Sequence, residues 1–320
     1  MSKDRNKHLD CVLKSHKIAN EESLLEKHRT NRVGVRELLA AKYGSKMYNP
    51  FDSGSYAKNT AVNTKFDFDL IAPFKRDTHN TLKEMYEEVY QVLFDEYDKV
   101  ATVRKQKVSI GIEFYPDEDG DVVNIDVVPG RELNPGQYED DQKLNLYVYS
   151  RYGTISEGSE RLRTNVKAQI ENIRSNSEKG EARKVVRLLK VWKIENRKQV
   201  KSFFIELIVL KAFEKLSISG FTWEVLKSCL EFIRDKVETI NLPDPGNGGN
   251  NVSDTLTANE KTNLSYDMKY MIDRIEGNSD NISHYFPVNT KFPCEEEDDK
   301  SKTYGGSPAV LTVPPTTRFG

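Results

Sequence analysis

A chain of 320 residues with 37% hydrophobic and 31% charged residues can bury one large core or two ordinary ones under a well-solvated surface. Its formal net charge of −2 excludes the global basic field of a nucleic-acid-coating protein, while leaving room for a local basic patch. Three distant cysteines, Cys11, Cys229 and Cys294, lack ligand spacing and argue against a disulfide framework and structural zinc, which fits a reducing cytoplasm.

In chain order, MSKDRNKHLDCVLK has no apolar signal core. Leu9, Val12, Leu13, Ile18, Leu24, Leu25, Val33, Leu38 and Leu39 recur at helical intervals, so residues 1 to about 45 are expected to be helical, with Gly44 as the stop. A Gly-Ser turn follows, then the strand FDFDLIAPF. Residues 79–99 read as an amphipathic helix. KVSIGIEFY alternates with period two, placing Val108, Ile110, Ile112 and Phe114 on one face; DEDG is its turn and VVNIDVVPG the next strand. Beyond residue 150, helical periods dominate at 160–174, 181–196, 202–215, 222–239 and 257–276. NLPDPGNGGNN between them reads as a loop. The longest apolar run, FFIELIVL, is too short to span a bilayer and carries Glu206, so a soluble, cytoplasmic protein with no membrane partner is expected. From Pro293 the chain is acidic and then small and proline-rich, without periodicity, which reads as a disordered tail. No internal repeat is present.

The chemistry concentrates in SGSYAKNTAVNTKFDFD, residues 53–69. On a strand, residues i and i+2 point the same way, so Asp67 and Asp69 share one face while Phe66, Phe68 and Leu70 enter the core. Two carboxylates held side by side need a cation or a proton between them. In VVNIDVVPG, Ile125 and Val127 face inward and Asp126 outward with Asn124; if the two strands are neighbours, a third carboxylate joins the pair. Three oxygen donors with open positions suit Mg²⁺, with Mn²⁺ as a substitute, and two such ions can activate a hydroxyl and steady a leaving group. Gly54 lets backbone N–H groups approach a phosphate, and Ser55 offers a hydroxyl. An Asp-x-Asp pair alone more often marks an exposed polar face; it is the whole arrangement that points to catalysis.

GSYAKNTAVNTKFDFDLIAPF with NIDVVPG resembles the polymerase-beta-like nucleotidyltransferase superfamily. VVRLLKVWK, KSFFIELIVLKAF and the loop DPGNGGNNVSD are similar to the second domain of the cGAS/DncV-like nucleotidyltransferases (CD-NTases), the bacterial relatives of cyclic GMP-AMP synthases. The resemblance covers most of residues 30–290. It implies an α+β fold: a mixed nucleotidyltransferase sheet with helices in residues 1–150, including an N-terminal spine helix, packed on a helical nucleotide-binding domain in 151–292. The active site would lie in the cleft between them, with 293–320 as tail. It implies an enzyme that joins nucleoside triphosphates into a cyclic di- or trinucleotide, releasing pyrophosphate, in anti-phage defence (CBASS), its product activating an effector.

Carried over residue by residue, Asp67 and Asp69 would bind both metals, Asp126 the metal activating the hydroxyl, and Gly54, Ser55, Lys190 and Ser202 the triphosphate. Lys190 equally reads as a snorkelling surface lysine and Ser202 as a helix N-cap. Asp254 is a candidate base contact, Phe203 reads as core or as a base-stacking ring, and Tyr56 packs on the turn. The zinc insertion of animal relatives is missing here, so DNA activation is not expected. The ending Arg318-Phe319-Gly320 is similar to tails that a partner resembling fused ubiquitin-activating and -conjugating enzymes joins to a target, making Gly320 a candidate acyl donor. The rival readings are a nucleotidyltransferase acting on a small molecule, an RNA end or a protein, and a non-catalytic nucleotide sensor.

Overall fold

The computed structural model describes residues 3–64, 67–150, 161–175 and 179–294. The N-terminal periodicity resolves into two helices. Asp4 caps α1 (Arg5–Ser15) by accepting from the amides of Asn6 and Lys7. A short 3₁₀ turn at Ile18–Asn20 separates it from α2 (Glu22–Tyr43), which stops at Gly44 in a positive-φ conformation. Then come β1 (Phe51–Ser53), the single turn α3 (Gly54–Ala57) and β2 (Phe68–Phe74). α4 (Leu82–Tyr97) opens with a capping box of Thr81 and Glu84. β3 (Ala101–Lys105), β4 (Ile110–Phe114), β5 (Asn124–Glu132), the short α5 (Tyr138–Asp141), β6 (Leu144–Tyr147) and β7 (Arg161–Thr164) complete the first half.

These strands form a seven-stranded mixed sheet in the order β1-β2-β5-β4-β3, with β6 on the far part of β5 and β7 beside β6. Among the described residues only β2 and β5 pair in parallel, and their register sets Asp69 opposite Asp126. Leu70, Ala72, Ile110, Ile112, Ile125 and Val127 turn to one face, where Val35 and Leu39 of α2 and Met85, Tyr86, Val89 and Leu93 of α4 cover them. Alternation therefore does what period two requires: the apolar members anchor the strands and the aspartates between them are left to the other face.

The second half is built of α6 (Val166–Arg174), α7 (Lys179–Glu195), α8 (Ser202–Lys215), α9 (Thr222–Lys236), β8 (Pro243–Asp244), β9 (Asn247–Asn251), α10 (Ala258–Gly277) and α11 (Ile282–Tyr285). Its core holds Val186, Leu189, Phe204, Ile208, Leu226, Leu230, Met268 and Ile275, and it also takes Leu9 and Val12 from α1. The first helix thus packs into the helical half rather than against the sheet.

Several expectations need correction. Residues 161–164 are not helical: Arg161–Thr164 pair with β6, and the helix starts only at Val166, after Asn165 caps it by accepting from the Ala168 amide. The expected loop at 241–251 contains the hairpin β8–β9. Val108 lies outside β4 and packs with Ile71 and Val128, not with Ile110 and Ile112. The reading against disulfides also fails, because Cys11 and Cys294 form one across 283 residues, with Cα atoms 5.8 Å apart. The end of the helical half folds back along α1, where His8 Nε2 bonds Phe286 O at 2.8 Å and His16 Nε2 bonds Pro287 O at 3.0 Å. Sequence spacing cannot show such a return. Residues 295–320, with Gly320, and Phe66 lie outside the described residues.

Leu70, next to Asp69 on β2, is fully buried in the core that α2 and α4 cover. Leu70→Ala should lower unfolding free energy by about 2–5 kcal/mol in a denaturant titration. A loss under about 1 kcal/mol would mean that this core tolerates a cavity and does not fix the strand.

Candidate active site

A cleft of about 680 Å³ opens between the two halves. From the first half it is lined by Gly54, Ser55, Lys58, Ala61, Val62, Asp67 and Asp69; from the second by Lys190, Lys193, Ile194, Arg197, Lys198, Gln199, Ser202, Phe203 and Glu206. Six of the sequence-predicted residues, Gly54, Ser55, Asp67, Asp69, Lys190 and Ser202, therefore meet in one cavity. Asp126 stands beside Asp69 on the neighbouring strand.

The carboxylates crowd one another. Asp69 has its pKa pushed up to about 7 by burial first, then by the charges of Asp126 and Asp67, against the pull of Lys58 and Lys190. Burial and then Asp67 push Asp126 upward as well. Gly54 makes this crowding possible. Its φ is +64°, and a Cβ there would fall 2.6 Å from Asp69 Cγ, inside the carboxylate. Gly54 thus takes a conformation that side chains rarely adopt and leaves the space that the Asp69 carboxylate fills. Hard oxygen donors, pressed together until one of them tends to keep its proton, suit a hard divalent cation, so Asp67, Asp69 and Asp126 fit the metal set that the resemblance implies.

Asp126 is steered by residues that sequence reasoning missed. Gln106 Nε2 donates to Asp126 Oδ1 at 3.0 Å, and Ser109 Oγ donates to Gln106 Oε1 at 2.8 Å, fixing the amide with its donor toward the carboxylate. Gly111, opposite Asp126 in the sheet, leaves the slot: a Cβ there would strike the Gln106 amide and sit 3.2 Å from Asp126 Oδ1. No spacing rule in the sequence links residue 106 to residue 126; only the β4–β5 pairing does.

On the opposite wall, Lys190 is not a snorkelling surface lysine. It is buried, donates to Thr60 O at 3.1 Å and Thr60 Oγ1 at 3.0 Å, and lies 3.5 Å from Glu206. Burial is the main cause that lowers its pKa. Ser202 is not the N-cap of α8; Lys201 takes that position, without a side-chain cap, and Ser202 Oγ accepts from Lys193 Nζ at 3.3 Å. Phe203 packs against the helical core while facing the cleft, with Lys58 Nζ 4.5 Å from its ring centroid. Tyr56 packs on Phe68, at 4.4 Å between ring centroids. Asp254 does not line the cleft; it sits exposed on the 3₁₀ turn Val252–Thr255 and accepts from Asn251 Nδ2 at 2.9 Å. Lys58, Lys193, Arg197 and Lys198 join the wall without having been predicted. The net charge gave no sign of this local concentration.

A second acidic group lies in the β4–β5 turn. The ligand oxygens of Asp117, Asp119 and Asp121 lie within 4.8 Å of one another and can hold a cation. In this structure that cation is the Lys27 ammonium, 2.5, 2.8 and 2.7 Å from the three carboxylates. None of the three aspartates lines the cleft.

The sequence matches no protein-family profile and no curated protein. Its fold does match solved structures. The CdnC protein of E. coli MS115-1, solved with ATP, superposes with a TM-score of 0.68 over 90% of this chain and 99% of its own, at 17% identity. CdnG of Bradyrhizobium diazoefficiens, a CD-NTase solved with GTP, gives 0.65 over 87% and 95%, at 12% identity. The CdnE cyclic dinucleotide synthase of Elizabethkingia meningoseptica, solved with GTP and Apcpp, gives 0.55 over 77% and 96%, at 16% identity. This chain therefore has the CD-NTase fold, a mixed α+β sheet packed on a helical half with a cleft between.

The crowding has a measurable consequence. Asp69 titrates near 7 in the folded protein against an ordinary 3.8, so the folded state holds its proton more tightly than the unfolded chain does. In metal-free protein this contribution to stability is complete below about pH 4 and is lost as pH rises through 7. Asp69→Asn should flatten that limb of the stability–pH curve; an unchanged slope would remove Asp69 as its source. Gly54→Ala should lower stability by at least about 1–2 kcal/mol, the strain of a left-handed residue, and should weaken Mn²⁺ binding measured by calorimetry. Wild-type stability together with wild-type Mn²⁺ affinity would show that the turn adapts without moving Asp69.

Proposed function

We propose that this chain is a nucleotidyltransferase that joins nucleoside triphosphates into a cyclic di- or trinucleotide with release of pyrophosphate. The observation that carries the reading is the Asp69–Asp126 register beside Gly54, facing a cleft whose other wall is rich in lysine. Anionic and cationic walls across one cavity suit a substrate made of a polyphosphate and the cations that accompany it. ATP or GTP is bound by the similar CdnC and CdnG structures, and the similar CdnE is a cyclic dinucleotide synthase, which supports the same substrate class here.

In this reading a hydroxyl of one nucleotide attacks the α-phosphorus of another. The new O–P bond forms as the bond from that phosphorus to the bridging oxygen breaks, the hydroxyl's proton passes to solvent and pyrophosphate leaves; a second such step closes a dinucleotide ring, and a third closes a trinucleotide ring. Asp67, Asp69 and Asp126 would hold two divalent ions, Mg²⁺ or Mn²⁺, which lower the pKa of the attacking hydroxyl and stabilise charge on the phosphoryl oxygens. Gln106 keeps the Asp126 carboxylate oriented. Ser55, Lys190, Lys193 and Ser202 bind and orient the triphosphate from the cleft walls, and the Gly54 slot keeps Asp69 in place. The retained carboxylate set favours catalysis over a non-catalytic sensor, because a protein that only bound a nucleotide would gain nothing from their repulsion. Service in an anti-phage defence operon, and conjugation of Gly320 by a ubiquitin-like transfer partner, are the wider parts of this proposal and rest on the sequence resemblance.

Incubating the full chain with the four nucleoside triphosphates and Mg²⁺, followed by mass spectrometry, tests the reading. A cyclic product is expected; Asp69→Ala and Asp126→Ala should each lower its yield at least about 100-fold, and excess EDTA should stop the reaction until Mg²⁺ or Mn²⁺ is restored. Only linear adducts on an added RNA or small molecule would replace cyclisation with transfer to that acceptor. Turnover that survives loss of either aspartate would remove the carboxylate site.

A further inference from the structure

Two ammonium groups and one carboxylate are buried together in the wall of the cleft. Lys58, just after α3, donates to Glu206 Oε2 of α8 at 2.8 Å. Lys190 of α7 lies 3.5 Å from Glu206 Oε1, and Thr60 Oγ1 donates to that same oxygen at 3.3 Å. Lys58, Thr60, Lys190 and Glu206 are each less than a tenth exposed, at 7, 0, 6 and 4%. Two positive charges therefore share one negative charge, and a buried charge without its full complement is unfavourable. Lys58 lines the cavity itself, its ammonium held over the Phe203 ring, so one side of it faces the space where a ligand enters.

We propose that Lys58 is a second triphosphate-binding lysine beside Lys190, and that Glu206 is a positioning residue that holds both ammonium groups at the cleft wall until a phosphate oxygen completes their pairing. This explains a glutamate in the otherwise apolar FFIELIVL segment, which buries Phe204, Ile205, Leu207 and Ile208 around it. It also explains why Lys58 and Thr60 come from the sheet half while Lys190 and Glu206 come from the helical half: the anion site is assembled only where the two meet. The proposal rests on the nucleotidyltransferase reading for its ligand but concerns binding alone.

The alternative role of the cluster is to fasten the two halves. Inorganic tripolyphosphate, titrated calorimetrically into the full chain without divalent metal, separates the two when combined with thermal unfolding and NTP kinetics. Lys58→Ala should weaken tripolyphosphate binding by about 10- to 100-fold, the range for a lost hydrogen bond to a charged group, and raise KM by more than it lowers kcat. Lys58→Arg should recover most of that affinity. Glu206→Gln should melt at a lower temperature without anion, since both ammonium groups then lose the carboxylate paired with them, yet bind tripolyphosphate at least as tightly as wild type. Lys58→Met, which keeps the stem against Phe203, replaces Lys58→Ala if the latter does not fold. Wild-type tripolyphosphate affinity in Lys58→Ala or in Lys58→Met overturns the proposal, whatever the melting temperature, and leaves Lys58 as a fastener. A chain that binds tripolyphosphate through Lys58 but makes no cyclic product would remove the cyclisation reading and leave this site standing.

Discussion

The repulsion among Asp67, Asp69 and Asp126 is the constraint around which the molecule is arranged. Carboxylates that push each other's pKa upward stay together only on a frame that cannot relax. The parallel pair β2–β5 is that frame: seven consecutive backbone pairings set the register, and the residues alternating with the aspartates are anchored under α2 and α4. Gly54 removes the side chain that would displace Asp69, and Gly111 removes the one that would displace Gln106 from Asp126. Each of these glycines is explained by what stands where its Cβ would be.

The helical half answers this negative wall with a positive one. Its lysines are of two kinds. Lys190 is buried and held by Thr60 and Glu206, while Lys198 is partly exposed and paired with Asp267 at 2.6 Å. The first kind is preorganised, because little conformational freedom is left to lose when an anion arrives. Charge buried across the junction also ties the halves chemically, since separating them would take Lys58 from Glu206 and Lys190 from Thr60. The Cys11–Cys294 bond and the hydrogen bonds from His8 and His16 close the same body from the other end.

The turn at Asp117–Asp121 shows what the same residue type does under different burial. Its three carboxylates gather around Lys27, and the Lys27 hydrogen bond is the first cause that draws the Asp117 pKa down. In the cleft, desolvation comes first, and Asp69 and Asp126 are driven upward instead. Composition cannot tell these two clusters apart. The difference is solvation and the presence of a neutralising ammonium, and it separates an acidic turn from a candidate catalytic centre.

Much of this was legible in the sequence because it depends on local periodicity. Period two in Phe68-Asp69-Leu70 and NIDVV told which residues enter the core and which face outward, and periods near 3.6 placed the helices of the second half. A short pattern is weaker, so Arg161–Thr164 was taken for helix although β6 recruits it as a strand, and the Gly/Asn-rich segment hid a hairpin. What only the tertiary structure decided were the relations between distant segments: Gln106 with Asp126, Lys58 with Glu206, Cys11 with Cys294, and the exclusion of Asp254 from the cleft. Local spacing fixes the face on which a side chain emerges. Which residue it meets there depends on strand pairing and helix packing, and those are set by the burial of the whole chain at once.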